Sequence, residues 1–300
     1  MNRREFAKKA VMSSALLATA PRFGLSNSNI GSASEKNFKI GIMYATIGAG
    51  ESISEKFQLC REAGFNGVEV MSHMNREEVL KARDATGLDI PSVCGSKHWS
   101  LTLSSPDKAT RDKGREALKV TLEDAKAYGA DTVLLVPGKV NGSVSYDDCW
   151  YRSIEEIKKV LPLAEQLNVT IAIENVWNNF ILSPMEAVYY LDEFSSPYVK
   201  FYMDCGNILR YGWPEQWIKI LDRRIAKVHF KEFSRELANN KGNSAGFNVQ
   251  LREGDVNWPA VMDALDQIGY SGWVTLEQRG GDNLEGLKDL VNRTRKILSS

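Results

Sequence analysis

After residue 35, short apolar runs rich in β-branched residues alternate with longer stretches of helical periodicity. The runs are almost continuously apolar, which is typical of parallel strands buried on both faces. The predicted strands are 38–44, 66–71, 89–95, 131–136, 169–175, 199–204, 225–231 and 272–277, and the predicted helices are 51–63, 75–86, 108–128, 147–167, 184–193, 214–222, 258–268 and 284–298. Eight consecutive βα units predict an α/β protein, a closed (β/α)8 TIM barrel.

Glycine and proline support these boundaries. Gly64, Gly87 and Gly129 directly follow predicted helices, where a left-handed residue commonly ends a helix. Pro184 opens a predicted helix, where its missing N–H removes no helical hydrogen bond. An open doubly wound sheet is the alternative fold. It would normally carry a glycine-rich phosphate loop after its first strand, and residues 47–50 match that pattern poorly.

The first 34 residues have the three parts of an export signal. The segment begins with the basic residues Arg3 and Arg4, continues with an apolar stretch, and ends that stretch with small residues of the kind found at signal cleavage sites. The arginine pair, with Phe6 behind it, resembles the twin-arginine signals that carry folded proteins across the bacterial inner membrane. We therefore expect residues 1–34 to be an export signal and linker, residues 35–300 to be a catalytic barrel, and the protein to be periplasmic. An amphipathic helix is the alternative for this segment. A retained membrane anchor is disfavoured, because the apolar stretch 10–20 is too short to span a bilayer.

Charge and composition disfavour two kinds of partner. The 300-residue chain has a formal net charge of zero. Residues 1–34 hold five Lys or Arg and one Glu, which leaves 33 basic and 37 acidic residues in 35–300, a net charge of −4. A slightly acidic body is a poor match for nucleic acid, and no further apolar run is long enough for a membrane span. The four cysteines fit no zinc pattern, and their spacing permits a disulfide without implying one.

Four side chains with metal-binding chemistry stand at the ends of consecutive predicted strands: Glu174, Asp204, His229 and Glu277. In a barrel, residues at the carboxyl ends of the strands face the same catalytic mouth, so we expect these four to converge. Three carboxylates and one imidazole suit Mn²⁺, Mg²⁺ or Co²⁺, and Zn²⁺ is also compatible. The alternative for each residue taken singly is a buried ion pair or a helix cap.

Further polar residues near the same strand ends are candidates for contacting a substrate: Glu69, His98, Asn207, Lys231 and Arg279. Lys231 and Arg279 each lie two residues beyond a predicted metal ligand, so each points to the same side of its strand as that ligand. Asn207 closes a tight turn after Asp204, and Glu69 ends the second strand. The alternatives are ordinary salt bridges for the charged residues and a solvated loop position for His98.

The strand-end motifs, taken in order, resemble the xylose isomerase-like barrel superfamily of sugar and sugar-phosphate isomerases and epimerases, over residues 38–298. The motifs are Gly-Val-Glu in the second strand, the segment around His98, Ile-Glu-Asn at 173–175, Met-Asp-Cys-Gly-Asn at 203–207, Val-His-Phe-Lys-Glu at 228–232, Arg-Glu-Gly-Asp-Val-Asn-Trp at 252–258 and Leu-Glu at 276–277. Their spacing is most similar to that of the ketopentose and ketohexose 3-epimerases.

This resemblance implies one divalent metal ion, with Mn²⁺ as the first candidate, held by the four strand-end residues. It also implies that Glu174 and Glu277 act as base and acid on opposite faces of a ketose, through a metal-stabilised enediolate. Exchange of a proton between the two faces would epimerise the carbon, whereas one base moving a proton between two carbons would isomerise the sugar. A homodimer is expected by analogy with the family alone.

Two predicted loops, 96–107 and 234–257, are long enough to cover a barrel mouth. Trp99, Trp177 and Trp213 lie beside such loops and are candidates for stacking on a sugar ring, with core packing as the alternative.

The export signal conflicts with a phosphorylated sugar, because sugar phosphates are intracellular, so a free sugar or a glycoside is expected. An exported 3-keto-glycoside lyase that uses the same metal and base is one alternative. A non-catalytic carbohydrate-binding barrel is another, from a different functional class. The superfamily's DNA-repair endonucleases bind three zinc ions through many histidines, and this chain has three histidines in total.

Overall fold

The structure, a computed structural model, describes residues 38–300. The predicted export signal lies outside the described residues. The strands are β1 Lys39–Met43, β2 Gly67–Met71, β3 Val93–Cys94, β4 Thr132–Leu135, β5 Thr170–Glu174, β6 Val199–Asp204, β7 Ile225–Phe230 and β8 Trp273–Leu276. All are parallel and pair in chain order, and β8 pairs with β1 to close the barrel. The predicted (β/α)8 TIM barrel is confirmed.

Helices follow the strands on the outside of the barrel. They are α1 Ile53–Ala63, α2 Arg76–Thr86, α3 Lys108–Tyr128, α4 Tyr146–Leu167, α5 Pro184–Asp192, α6 Cys205–Leu209, α7 Pro214–Leu221, α8 Arg235–Lys241, α9 Trp258–Gln267 and α10 Leu284–Leu298. None of these helices of the described part combines the length and apolar character that crossing a bilayer requires.

The helix ends follow from local sequence. Ser52 caps α1 by accepting a hydrogen bond from the Glu55 backbone N–H, and the Glu55 side chain accepts one from the Ser52 backbone in return. Gly64 and Gly129 end α1 and α3 in the left-handed conformation, which glycine adopts without strain. These caps bring the chain back to the barrel after each helix.

Two regions differ from the prediction. Strand β3 is confined to Val93–Cys94, because Pro91 has no N–H to donate to the ladder. Asp89, at the predicted start of the strand, forms only an isolated bridge with Gly67. The predicted loop 234–257 contains helix α8 and a 3₁₀ turn, Asn243–Phe247, and is therefore more ordered than its Asn- and Gly-rich sequence indicates.

Side chains alternate between two cores along β5, β6 and β7. Ile171, Phe201 and Val228 belong to the large apolar core that contains the buried sides of the helices. Ala172 and Tyr202, one position later on their strands, belong to a small cluster that also contains Cys94 and Leu134 of β3 and β4. Because the side-chain period of a strand is two, Glu174 and Asp204 lie on the same side as Ala172 and Tyr202. The alternation therefore directs the polar strand ends into the barrel.

All four cysteines lie within the described residues, and each is buried and unpaired. Burial raises the pKa of the Cys60 thiol to about 12 and that of the Cys149 thiol to about 11. They are small core residues, and the permitted disulfide is not formed.

Candidate metal centre

The four predicted metal ligands meet at the carboxyl-terminal mouth of the barrel. Glu174 and Asp204 end β5 and β6, His229 is the second-last residue of β7, and Glu277 directly follows β8. One ligand atom from each lies within 4.8 Å of the others. Asp204 and His229 are fully buried, whereas the Glu277 side chain is 22% exposed. The cluster is therefore open to solvent mainly on the side of Glu277.

The imidazole of His229 is the centre of this cluster. Its Nδ1 lies 3.2 Å from Glu174 Oε1, 3.3 Å from Glu277 Oε2 and 3.9 Å from Asp204 Oδ2. A single N–H cannot serve three carboxylates at once. If Nδ1 presents a lone pair instead, the same four atoms form a ligand set for one divalent cation.

Glu69 determines which nitrogen of His229 faces the cluster. Its Oε1 lies 3.0 Å from His229 Nε2, on the side away from the other carboxylates. Its Oε2 accepts hydrogen bonds from Tyr202 Oη, at 2.6 Å, and from Ser92 Oγ. Because an ionised carboxylate only accepts, the proton of a neutral His229 is held on Nε2, and Nδ1 is free to bind a metal.

Glu69 was predicted to contact substrate, and the structure places it beneath the ligands with no exposed surface. Burial acts to raise its pKa, but the charge and hydrogen bond of His229 outweigh burial and hold the pKa of Glu69 below its ordinary value. Its position is that of a residue that orients a metal ligand. A sequence pattern cannot show this role, since it depends on a contact across the barrel between β2 and β7.

Asp204 supplies the observation that tests the fit of a cation. Its Oδ1 accepts a hydrogen bond of 2.6 Å from the Asn207 backbone N–H, whereas Oδ2 is buried and has no hydrogen-bond partner. The nearest side-chain nitrogen atoms of basic residues to Oδ2 are Lys231 Nζ at 3.7 Å and His229 Nδ1 at 3.9 Å, both beyond hydrogen-bond distance. A buried carboxylate oxygen without a donor is costly, and a cation bound beside Glu174 and Glu277 would satisfy it.

The charges around the cluster support the same fit. Burial raises the pKa of Asp204 to about 8, despite the opposing effect of Lys231. Burial likewise raises the pKa of Glu174. For Glu277, burial acts in the same direction, but Lys231, whose Nζ lies 2.8 Å from Oε1, outweighs it and lowers the pKa. Lys231 therefore stabilises the ionised form of Glu277. The ionised forms of Glu174 and Asp204 require a further positive charge, which a bound cation would supply.

Asn175 and Asn207 connect the ends of β5 and β6. The Asn175 side chain accepts a hydrogen bond from the Asp204 N–H, at 2.9 Å, and donates one to the Asp204 carbonyl, at 2.8 Å. Asn207 Nδ2 donates to the Asn175 carbonyl at 2.9 Å. The Asn207 amide therefore helps to fix the ends of β5 and β6, and its predicted contact with substrate stays a prediction. Asn175 was not singled out, although it follows Glu174 in the quoted Ile-Glu-Asn motif.

His98 and Arg279 are not joined to the four ligands by any contact within residues 38–300. His98 Nδ1 accepts a hydrogen bond of 3.2 Å from the Val136 N–H, and burial lowers the pKa of His98 to about 4. It is therefore neutral at pH 7, with its proton on Nε2. Arg279 is exposed, and the structure gives it no hydrogen bond or ion pair. Lys231, in contrast, lies within the cluster, with Nζ 2.8 Å from Glu277 Oε1, and its predicted contact with substrate stays a prediction.

Glu232 fastens the long loop after β7 to the end of the barrel, and sequence reasoning gave it no role. Its carboxylate accepts hydrogen bonds from Trp258 Nε1 at 2.8 Å, the Arg252 N–H at 2.8 Å and the Val256 N–H at 3.1 Å. Its side chain is fully buried. Two features of the sequence could have indicated this role: Glu232 directly follows the His-Phe-Lys segment, and its partners lie in the 252–258 motif.

Comparisons with known proteins identify the family of this barrel. The family profile described as xylose isomerase-like TIM barrel matches residues 57–297, which confirms the resemblance drawn from the strand-end motifs. L-ribulose-5-phosphate 3-epimerase UlaE of Escherichia coli (strain K12) is 27% identical over 256 residues, 81% of this chain and 87% of that protein. The crystal structure of a D-tagatose 3-epimerase-like protein has a TM-score of 0.74 at 18% identity, covering 87% of this chain and 99% of its own. The crystal structure of 3-keto-D-glucoside 4-epimerase YcjR from E. coli has a TM-score of 0.73 at 19% identity, covering 86% of this chain and 99% of its own. These structural likenesses show the fold.

We predict that Mn²⁺ raises the melting temperature of the protein and binds once per chain. An ion that binds only the folded state at about 100 times its Kd adds about 2.7 kcal/mol to the free energy of unfolding. Asp204→Asn and His229→Asn each alter one ligand and should lose most of this gain. Scanning calorimetry with and without Mn²⁺ measures the effect.

Asp89→Asn is the matched control for this titration. Asp89 is an exposed carboxylate outside the cluster, paired with Lys39 at 2.7 Å. This variant should keep the full Mn²⁺-dependent rise. An equal rise in Asp204→Asn and in the unaltered protein would contradict the ligand assignment.

Glu69→Gln separates orientation of His229 from contact with substrate. If Glu69 orients the imidazole, the substitution lowers Mn²⁺ affinity by about tenfold to a hundredfold with no sugar present, which isothermal titration calorimetry measures. Ser92→Ala removes a donor to Glu69 but leaves the contact with His229, so it should change Mn²⁺ affinity much less. Unchanged Mn²⁺ affinity in Glu69→Gln, with weaker sugar binding, would assign Glu69 to the substrate instead.

Proposed function

We propose that this chain, which belongs to the xylose isomerase-like TIM barrel family, is a divalent-metal-dependent sugar epimerase or isomerase. The observation that carries the proposal is the convergence of Glu174, Asp204, His229 and Glu277 within 4.8 Å, with an unpartnered carboxylate oxygen facing the other three. UlaE and YcjR are both named as sugar epimerases, which supports a sugar as the substrate.

The bound cation would act as a Lewis acid that stabilises the negative charge left when a C–H next to the sugar's carbonyl loses its proton. Mn²⁺ is the first candidate, followed by Mg²⁺, Co²⁺ and Zn²⁺, because the ligand set is rich in oxygen. Glu174, Asp204 and Glu277 would hold the ion by carboxylate oxygens, and His229 by Nδ1.

The protein side of the reaction rests on two carboxylates from different strands. Glu174 and Glu277 lie on β5 and directly after β8, the first and last of the strands that build the site. One would take the proton from carbon and the other would return a proton from the opposite face, which inverts the carbon. Lys231, 2.8 Å from Glu277 Oε1, keeps that carboxylate in place and in its ionised form.

We favour a free ketose or a keto-glycoside over a sugar phosphate. The export signal proposed for residues 1–34 supports this choice, because phosphorylated sugars are intracellular metabolites. UlaE is named for a phosphorylated pentulose and YcjR for a keto-glucoside, so the relatives span both classes. A lyase acting on a 3-keto-glycoside is the second candidate, since it needs the same acidic proton next to a ketone.

Proton NMR in D₂O, with a panel of ketoses and 3-keto-glycosides, tests the proposal. We expect deuterium to replace the proton next to the carbonyl only when Mn²⁺ is present. Glu277→Gln and Glu174→Gln should each slow the exchange by about a hundredfold to ten-thousandfold, because each removes a group that transfers the proton. Asp89→Asn should exchange at the full rate.

The products distinguish the alternatives. An inverted carbon indicates an epimerase, a shifted carbonyl an isomerase, and a free aglycone with an unsaturated keto-sugar a lyase. Exchange that persists in Glu277→Gln, with Mn²⁺ still bound, would remove Glu277 from the proton transfer. Sugar binding without any Mn²⁺-dependent exchange would favour a non-catalytic carbohydrate-binding barrel.

We also propose that residues 1–34 direct the protein to the bacterial periplasm through the twin-arginine route. The support is the sequence of a basic Arg3-Arg4 pair, an apolar stretch and small residues. Fused to a folded fluorescent protein in a bacterium with this route, the segment should carry fluorescence to the periplasm. Replacing both arginines by lysine should keep the reporter inside the cell, whereas Lys8→Gln should not. Export of the double-lysine variant would contradict the twin-arginine assignment.

A further inference from the structure

An apolar cavity of about 390 Å³ lies beside the proposed metal centre. It opens between the loop that follows β5 and the segment that follows β6. Its walls are Asn175, Val176, Trp177, Asn179, Ile181, Leu182, Asn207, Ile208, Tyr211, Gly212 and Trp217. Asn175 and Asn207 are also the residues that fix Asp204, so the cavity and the metal centre share a wall.

A row of aromatic rings connects the two spaces. Lys231 Nζ lies 4.8 Å from the centre of the Phe247 ring, and that ring centre lies 5.0 Å from Trp177. Trp177 in turn lies 6.4 Å from the ring of Tyr211, which is 71% exposed at the outer rim. The Trp177 ring is fixed by its Nε1–H, which donates a hydrogen bond of 2.9 Å to the Asn207 carbonyl. The row therefore extends from Lys231, beside the charged cluster, to Trp177 and Tyr211 in the cavity lining.

The loop after β5 holds a strained backbone to form this wall. Ile181 has φ of 55° and Asn179 has φ of 60°, in the left-handed region that β-branched residues in particular avoid. Ile181 is nevertheless buried, and its N–H donates to Tyr146 Oη at 3.2 Å. Strain of this kind persists only where surrounding contacts impose it, and it is concentrated at binding sites.

The chemistry of the lining selects one class of occupant. The walls contain three amide side chains and no charged side chain. Two guanidinium groups adjoin the lining, since Arg235 Nη2 donates to the Gly212 carbonyl at 2.9 Å and Arg210 lies 5.7 Å from the centre of the Tyr211 ring, but neither is a lining residue. A phosphate would therefore have no cation among the lining side chains, and a second sugar would leave most of its hydroxyls without partners. Aromatic and aliphatic groups would bury apolar surface against Trp177, Ile208 and Trp217, which is favourable.

We infer that the substrate is a keto-glycoside whose apolar, preferably aromatic, aglycone occupies this cavity while its sugar lies at the metal centre. The inference rests on the proposed function, and it selects the keto-glycoside over the free ketose. It follows from the shared wall, the connecting aromatic row and the absence of charge in the lining. Trp177 and Tyr211 are then the residues that recognise the aglycone.

Binding of phenyl and methyl β-D-glucopyranoside to the Mn²⁺-loaded protein tests the inference. Neither compound has a ketone, so neither can undergo the proposed reaction, and tryptophan fluorescence or calorimetry reports binding alone. Burial of one aromatic ring should make the phenyl glycoside bind at least about tenfold more tightly than the methyl glycoside. Trp177→Ala and Tyr211→Ala should remove most of this preference.

Tyr151→Ala is the matched control for Tyr211→Ala, because Tyr151 is 70% exposed and does not line the cavity. It should retain the preference for the phenyl glycoside. Equal affinity for the two glycosides, or no binding of either, would overturn the inference. It would also be overturned if Tyr211→Ala separated a dimer into monomers without changing the preference, since a second copy would then cover the cavity.

The outcome is separable from that of the proposed function. Mn²⁺-dependent exchange of ketose protons without a preference for the phenyl glycoside would retain the enzyme and reject the aglycone site. A cavity-dependent preference without proton exchange on any sugar would retain the aglycone site and reject the epimerase or isomerase.

Discussion

Four carboxylates, three at the mouth of the barrel and Glu69 beneath them, surround the imidazole of His229, and this concentration of negative charge sets the chemistry of the site. Glu69 holds His229 from below, and Lys231 pairs with Glu277 from above. Asp204 retains one oxygen without a donor. A cluster of like charges in a water-poor interior is unfavourable unless positive charge accompanies it. The arrangement is therefore that of a cation site, in which the protein supplies part of the positive charge and leaves part to a bound ion.

The side chains that stabilise the fold and those that form the site lie on opposite faces of the same strands. One set of alternating side chains on β5, β6 and β7 packs against helices and carries the large apolar core. The other set points into the barrel and ends in Glu174, Asp204 and His229. Because the two sets share a backbone but not a side, the ligands are placed by the strands without being part of the main core.

Much of this could be predicted from the sequence, for physical reasons. The four ligands stand at the ends of apolar runs, and the barrel geometry brings such ends together. Contacts between residues far apart in the sequence could not be predicted. The contact of Glu69 with His229 and the hydrogen bonds of Glu232 with residues 252–258 depend on strand register and on the path of a loop. The short β3 shows the same limit, since the run 89–95 reads as a strand until Pro91 is weighed against the ladder.

The ammonium of Lys231 competes with any ion that enters the cluster, since it already lies 2.8 Å from Glu277 and 3.7 Å from Asp204. An arriving cation therefore shares the Glu277 carboxylate and Asp204 Oδ2 with a charge that belongs to the protein, and part of its attraction to the cluster is already offset. Because this offset is the same for every divalent ion, Lys231 would lower affinity in general, and the preference among ions is left to the three carboxylate oxygens and the imidazole nitrogen.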